Sequence, residues 1–368
     1  MTMRYRKKNS IDILYIGKSR LHKNKANLIQ TLHTVNALQN LNINVQLILP
    51  PIKKRLKVQE RLHEIGVSQN LKVNTSRLLH PNWSFFNYNL FFYANKKKLM
   101  RQKNIYVRSP DLSLKLIKMK INHSLEIHNI SELINKKNLY YITKAHKEHI
   151  IKWLFPISQK TSEKMIKSGA NKNRICVVPS GVNCDLYKDI QELNPNKKEK
   201  LKLGYIGTIS YSRGLGIIQK LSYCQLGDIH LVGIKEDSFE QTPGVKHTKF
   251  IPHSKIHFFY EDIDILLLPY QHNLPHVHSI SPMKLFEGMA AGRIIIASNI
   301  PPIREVIRHN YTGILVDPEN VQDWVNAITF LNKDRNFASM LAKNAKKHAQ
   351  NYSWENRAYH ISHSLKLL

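Results

Sequence analysis

The chain has 368 residues, 42% of them apolar and 22% charged, the balance of a soluble globular protein with room for two domains of roughly 150–190 residues each. Lys and Arg number 56 against 26 Asp and Glu, a net charge of +30, and the excess is uneven: 35 against 10 in residues 1–190 but 21 against 16 in residues 191–368. No stretch approaches the ~18 uninterrupted apolar residues of a membrane helix, and three cysteines without metal-ligand spacing (Cys176, Cys184, Cys224) read as reduced thiols rather than a disulfide or zinc framework.

In chain order, the basic start MTMRYRKKNSIDILYIG has an apolar run too short for a secretory signal. It reads as a first strand, IDILYIG (11–17), and the protein is expected to stay in the cytoplasm. A helical pattern over 26–41 and the strand NVQLILP (44–50) follow, which is a βαβ opening and implies a parallel sheet. NIYVRS (104–109) and HSLEIH (123–128) continue the strands. A helix spans 158–170, and RICVVPSGV (174–182) closes the half. QELNPNKKEK (191–200) is polar and carries Pro195, the best linker candidate. The rhythm restarts with KLGYIGTIS (202–210), a helix through GLGIIQKLSY, IHLVGI (229–234), the buried strand IDILLLPY (263–270) and RIIIAS (293–298). Helices at 320–332 and 335–350 precede a last pattern running to Leu368. Expected domains are therefore 1–190, 191–345, and a C-terminal helical segment 346–368 that packs back on the first. The class is α/β, two Rossmann-like, doubly wound domains facing a central cleft.

The segment SISPMKLFEGMAAGRIIIAS (279–298) carries the chemistry. Ser281 is a strong N-cap type and Pro282 a preferred first helical residue, so a helix should begin here and stop at Gly292. The N-terminus follows a buried strand, so free N–H groups and the helix dipole make an anion site at the carboxyl ends of the sheet. Lys284 in the first turn is disfavoured by the dipole, which points to a real anion. Glu287 follows three residues on, about one turn later on the same face, able to accept both hydroxyls of a ribose. The plain alternative is an ordinary Lys–Glu pair on a solvated helix, which the apolar context LFEGMAAG disfavours.

With SPMKLFEGMAAGRIIIASNIPPIREVI in view, the sequence resembles the retaining GT-B glycosyltransferases of family four (glycosyl transferases group 1), in their S-P-x-K-x-x-E form. The resemblance implies that Glu287 holds the donor ribose and that Ser279, Ile280, Ser281 and Lys284 line the donor site. Ser279 stands where the family carries its first glutamate, and Glu305 matches a later, structural landmark. In YIGTISYSRGLGII (205–218), Gly207 and Arg213 match a glycine and a cation that clamp the pyrophosphate. Arg213 matches the second of two cations, and Thr208 stands at the position of the first, so the resemblance leaves one clamp absent. A plain βα turn with a surface Arg is the alternative there.

YVRS (106–109) and LEIH (125–128) resemble segments lining the cleft in the first domain. They make His128 the candidate catalytic contact to sugar or acceptor, with Glu126 on the same side of the strand to orient it. Against this stands a satisfied structural histidine. The loop GKSRLHKNKAN (17–27) offers Arg20 and Lys23 to an acceptor phosphate. HPNWSFFNYNLFFYANKKKLMRQK (80–103) interleaves Trp83 and other aromatics with Lys96, Lys97 and Lys98, and KKRLK (53–57) adds charge. That mixture suits an anionic membrane surface, although Phe85, Phe86, Phe91 and Phe92 could equally be core. Asp262 and Asp264 precede a buried strand and read as structural rather than as a metal motif. His272, His276 and His278 lack a completing ligand set, so no metal is assigned.

The expected activity is transfer of a sugar from a nucleotide-diphosphate donor, with a UDP-sugar favoured, to a saccharide or lipid-linked saccharide, with retention and without a metal. No cofactor other than the donor substrate is expected. The resemblance suggests bacterial surface-polysaccharide synthesis (capsule or lipopolysaccharide), with the enzyme peripheral on the inner face of the plasma membrane. A catalytically idle GT-B scaffold, an epimerase or a nucleic-acid-binding protein (from the pI of 9.9) are the alternatives. No nucleic-acid recognition motif supports the last.

Overall fold

The near-continuous apolar runs become the inner strands of two parallel sheets. A computed structural model describes residues 10–52, 56–80, 84–135, 137–196, 198–236 and 244–368. The chain forms two compact units: one runs to Pro179 and regains Trp354–Leu368, and the other is Ser180–Ser353. The second unit thus begins ahead of the polar 191–200 stretch, and residues 346–353 belong to it.

The first unit holds β1 (Ile13–Ile16), β2 (Val45–Leu49), β3 (Val73–Thr75), β4 (Ile105–Val107), β5 (His123–Ile127) and β6 (Ile151–Pro156). They lie in the order β3-β2-β1-β4-β5-β6, and every pairing is parallel. The second holds β7 (Leu203–Ile206), β8 (Ile229–Val232), β9 (Val245–Thr248), β10 (Ile265–Leu268), β11 (Ile294–Ser298) and β12 (Ile314–Val316). Their order is β12-β11-β10-β7-β8-β9, again wholly parallel. Both are the doubly wound pattern, with the winding reversing beside the first strand. The crevice outside the strand ends at that reversal is where such sheets bind ligands. The reversals lie between β1 and β4 and between β7 and β10.

Helices cover both faces of the second sheet, so its central strand β10 is apolar at every position and β11 at all but its last. Ile265 and Leu267 of β10, with Ile294 and Ile296 of β11, enter one core together with Trp324. Leu266, Leu268, Ile295 and Ala297 point the other way, onto Phe286 and Met289.

RICVVPSGV forms no ladder strand. It runs beside β6 through Cys176 N to Leu154 O (3.0 Å) and Val178 N to Pro156 O (2.9 Å). The last helix, Trp354–Ser364, packs on Ala26–Asn40, with the Trp354 and His33 rings stacked 5.3 Å apart. Among the described residues no helix is long and apolar enough to cross a membrane.

Candidate functional site

In the second unit, β7 ends at Gly207, whose φ of +129° is open to glycine rather than to residues with a side chain. A Cβ there would lie 2.4 Å from Lys284 Nζ. The lysine ammonium thus sits directly over this glycine. Gly233, after β8, has φ +146°, and its Cβ would lie 1.8 Å from Gly207 O. Two facing glycines therefore let the backbones close up beneath the ammonium. Lys284 Nζ stands 4.2 Å from the Tyr205 ring centroid and 5.6 Å from that of Tyr270, both cation–π contacts. Tyr205 is fixed by donating to Thr208 O at 2.6 Å, which is how Thr208 takes part.

Burial lowers the Lys284 ammonium to about 7, Arg213 pushes the same way, and Glu287 opposes them. A partly desolvated cation beside a second cation, at the sheet's reversal point, is a site that gains from an anion. Arg213 is presented by a 3-10 turn, Tyr211–Arg213. Gly214 follows with φ +90°, where a Cβ would strike Pro269 O at 2.2 Å. Glu236 lies 3.5 Å from the guanidinium.

The helix starts one residue later than expected, at Met283, with Pro282 at its N-cap and no side chain capping it. Ser281 is not the cap. Its Oγ accepts from Ser180 N (2.9 Å) and its carbonyl accepts from Ser180 Oγ (2.6 Å), a use 101 residues away that outcompetes the local one. The N-terminal dipole therefore remains uncompensated by any side-chain cap. Glu287 is 6% exposed, so the plain solvated-helix alternative does not hold. Tyr260 OH donates to one carboxylate oxygen at 2.8 Å and His253 Nε2 to the other at 3.0 Å. A carboxylate has about four acceptor positions, so two remain after these bonds hold it in place. No local spacing announces His253 or Tyr260, which come from about thirty residues upstream. Ser279 is buried (1%), with its hydroxyl donating to His276 O at 3.3 Å inside its own turn. Ile280 packs against the apolar core. Asp264 accepts from Lys202 N at 2.8 Å, a structural use.

In the first unit, β5 delivers Glu126 and His128, and β4 delivers Tyr106 and Arg108. Glu126 is 1% exposed. Tyr106 OH and His128 Nε2 form short hydrogen bonds to it, and Arg357 Nη2 pairs with Oε2 at 2.7 Å. Burial alone would raise this carboxyl, but Arg357 and His128 overcome it and hold it well below the usual range. So enclosed, Glu126 keeps both carboxylate oxygens on groups of its own unit. Burial, then Arg108, lower the His128 imidazole to about 4 against the pull of Glu126. Its side chain keeps 22% exposure. Arg108 Nη2 lies 3.1 Å from His128 Nδ1, and Arg108 Nε lies 2.7 Å from Nε2.

Arg61, itself buried, binds Leu21 O, Lys23 O and Asn24 Oδ1, and so shapes the loop that carries Arg20 and Lys23. Lys96, Lys97 and Lys98 are exposed on the short helix Lys96–Met100. Trp83 and residues 53–55 lie outside the described residues, as do the side chains of Phe85 and Phe86. Phe91 and Phe92 are core (3% and 0%), and packing claims them rather than a membrane. Among the described residues, Leu90 (54%), Tyr93 (78%) and Met100 (64%) are the exposed large apolar groups there. Leu90 and Tyr93 border a groove with Lys96, Lys115, Lys118 and Lys120.

Residues 236–348 match the family Glycosyl transferases group 1. Over 81 residues the chain is 33% identical to the D-inositol 3-phosphate glycosyltransferase of Rhodococcus jostii, covering 22% of this chain and 18% of that protein. Over 212 residues it is 24% identical to the N,N'-diacetylbacillosaminyl-diphospho-undecaprenol alpha-1,3-N-acetylgalactosaminyltransferase of Campylobacter jejuni, covering 53% and 55%. The matches thus span from under a fifth to about half of these relatives. The fold is that of GT-B glycosyltransferase structures. Anabaena HepE in complex with UDP aligns with TM-score 0.73 at 15% identity, over 97% of this chain and 100% of that one. Sucrose-phosphate synthase from Thermosynechococcus elongatus aligns with TM-score 0.74 at 14%, over 96% and 98%.

Proposed function

We propose that the chain is a glycosyltransferase that moves a sugar, with retention and without a metal, from a nucleoside-diphosphate donor to a saccharide or lipid-linked saccharide. One observation carries this: the Lys284 ammonium, seated over Tyr205 and Gly207, lies one helical turn from a Glu287 carboxylate already held by Tyr260 and His253. The first suits a diphosphate and the second a ribose diol. Negative charge grows on the departing diphosphate, where Lys284, Arg213 and the uncapped helix start supply fixed positive charge. That is the support for transfer without a metal. The first unit would offer His128 to a sugar or acceptor hydroxyl, with Arg20 and Lys23 as candidate contacts for an acceptor phosphate. The HepE structure with UDP makes UDP the first nucleotide to try.

A thermal-shift series with UDP, GDP, ADP and CMP identifies the base. Glu287→Ala should remove that shift while circular dichroism stays unchanged. A variant that still transfers sugar as well as the parent would end the assignment. Product anomer by NMR and activity in EDTA decide retention and metal use. We further propose that the groove of Leu90, Tyr93 and the surrounding lysines rests on an anionic bilayer, in keeping with a role in surface-polysaccharide synthesis. Co-sedimentation with anionic but not zwitterionic vesicles tests it. The buried, inward-bonded Ser279 favours one second reading, an idle scaffold that binds nucleotide without turnover. Release of labelled sugar excludes it.

A further inference from the structure

Arg357 is a buried charged group of the first unit that this mechanism leaves unused. It reaches the strand ends from the last helix and is 4% exposed. Its Nη1 donates to Val178 O in a short bond and to Pro179 O at 2.6 Å. Nε donates to Thr34 Oγ1 at 3.1 Å, and Nη2 pairs with Glu126. The guanidinium is fixed on three sides by groups within its own unit, so it cannot follow Glu126 if that carboxylate turns.

Glu126 Oε2 is taken by Arg357 and Tyr106, which leaves Oε1 toward His128 Nε2. An ionised carboxylate only accepts, so Nε2 must carry the ring proton and Nδ1 must be the acceptor. Arg108 Nη2, 3.1 Å from Nδ1, is the matching donor. Arg108 Nε, 2.7 Å from Nε2, is a competing donor that favours the opposite arrangement. The ring thus faces two incompatible partners at one nitrogen, and the charge state of Glu126 decides between them.

We propose that Arg357 is a positioning residue for His128: by pairing with Glu126 it fixes the Nε2–H tautomer and thereby the ring face offered to a ligand. Without Arg357, a buried Glu126 loses its main counter-charge and takes up a proton or turns away. Nε2 then accepts from Arg108 Nε, the ring proton moves to Nδ1, and Arg108 Nη2 must turn away from Nδ1 because a guanidinium cannot accept that proton. The C-terminal helix is in this way a working part of the site.

The test is the tautomer of His128, read by long-range ¹H–¹⁵N correlation on the full-length protein without nucleotide. The parent should show a pyrrole-like Nε2. Arg357→Met and Glu126→Gln should each shift the population toward a pyrrole-like Nδ1, and Arg357→Lys should retain the parent pattern. If Arg357→Met does not fold, Glu126→Gln carries the test alone. An unchanged Nε2–H in the folded variants overturns the proposal, as does a parent ring protonated on Nδ1. The kinetic consequence rests on the glycosyltransferase reading. There, Arg357→Met should lower kcat roughly tenfold or more while UDP affinity, set in the other unit, stays within about twofold of the parent. The NMR result and the UDP thermal shift fail independently of each other.

Discussion

If Lys284 waits half-charged for an anion, binding a nucleoside diphosphate must draw a proton from solution. Burial and Arg213 lower its ammonium to about 7 in the free protein, and a diphosphate alongside should return it toward its ordinary value near 10.4. At pH 8 the free lysine is then about one-tenth protonated and the bound one almost fully, an uptake of roughly 0.9 proton per nucleotide, falling to about 0.5 at pH 7. Diphosphate is itself deprotonated at pH 8 (phosphate second pKa about 6) and contributes little. Calorimetry with UDP at pH 8 in buffers of differing ionisation enthalpy gives the proton number from the slope. Lys284→Met should bring that slope near zero. The apparent Kd should also weaken about tenfold per pH unit between 7 and 9, as the charged fraction declines. The sign for the free protein is the opposite. A lysine lowered on folding binds fewer protons than the unfolded chain between about pH 7 and 10, so stability rises across that window and nucleotide reduces the slope. UDP binding without proton uptake in the parent would refute the placement of Lys284 at the diphosphate.

Gly207→Ala should cost about 1–2 kcal/mol in backbone strain at φ +129°. Because Lys284 Nζ lies within 2.4 Å of the new Cβ, it should also weaken UDP binding more than stability, which paired urea and UDP titrations would show. Gly233→Ala meets the Gly207 carbonyl instead of a flexible side-chain end, so loss of folding by more than about 3 kcal/mol is expected. Glu287→Ala leaves Tyr260 and His253 without their carboxylate and should lower stability by about 1–3 kcal/mol. A fully unchanged urea midpoint would contradict that contact geometry. Burial lowers His123 to about 4. Relative to its ordinary 6.5, it contributes stability that is present above pH 6.5 and lost toward pH 4, up to about 3 kcal/mol. His123→Gln should flatten the urea midpoint across that interval, and an undiminished acid slope would refute its part.

How much of this was legible depends on where each residue finds its partner. The inner strands β1, β10 and β11 announce themselves as apolar runs because both of their faces are covered. The strands that sequence reasoning did not name are β3, β6, β9 and β12, the four edges of the two sheets. Three of them are three or four residues long with mixed burial. The fourth, β6, leaves Lys152 and Trp153 half-buried. An edge strand has one neighbour and partial cover, so its period weakens where the fold needs it least.

The candidate site divides along the same line. Lys284 and Glu287 were readable because a helix sets their spacing within four residues. Ser281 was misassigned as a cap because the local preference is real, yet Ser180 satisfies both its hydroxyl and its carbonyl across the chain. Tyr260 and His253 on Glu287, and Arg357 on Glu126, carry no local signature. The Arg357–Glu126 pair spans 231 residues and exists only because the last helix returns to the first unit. Sequence alone does impose one constraint there. A carboxylate inside HSLEIH must find cations once the strand is buried, as β5 is at every position, since an unpaired buried charge costs several kcal/mol. The physics demands an arginine while leaving open which one, and that residue is supplied by topology rather than by spacing.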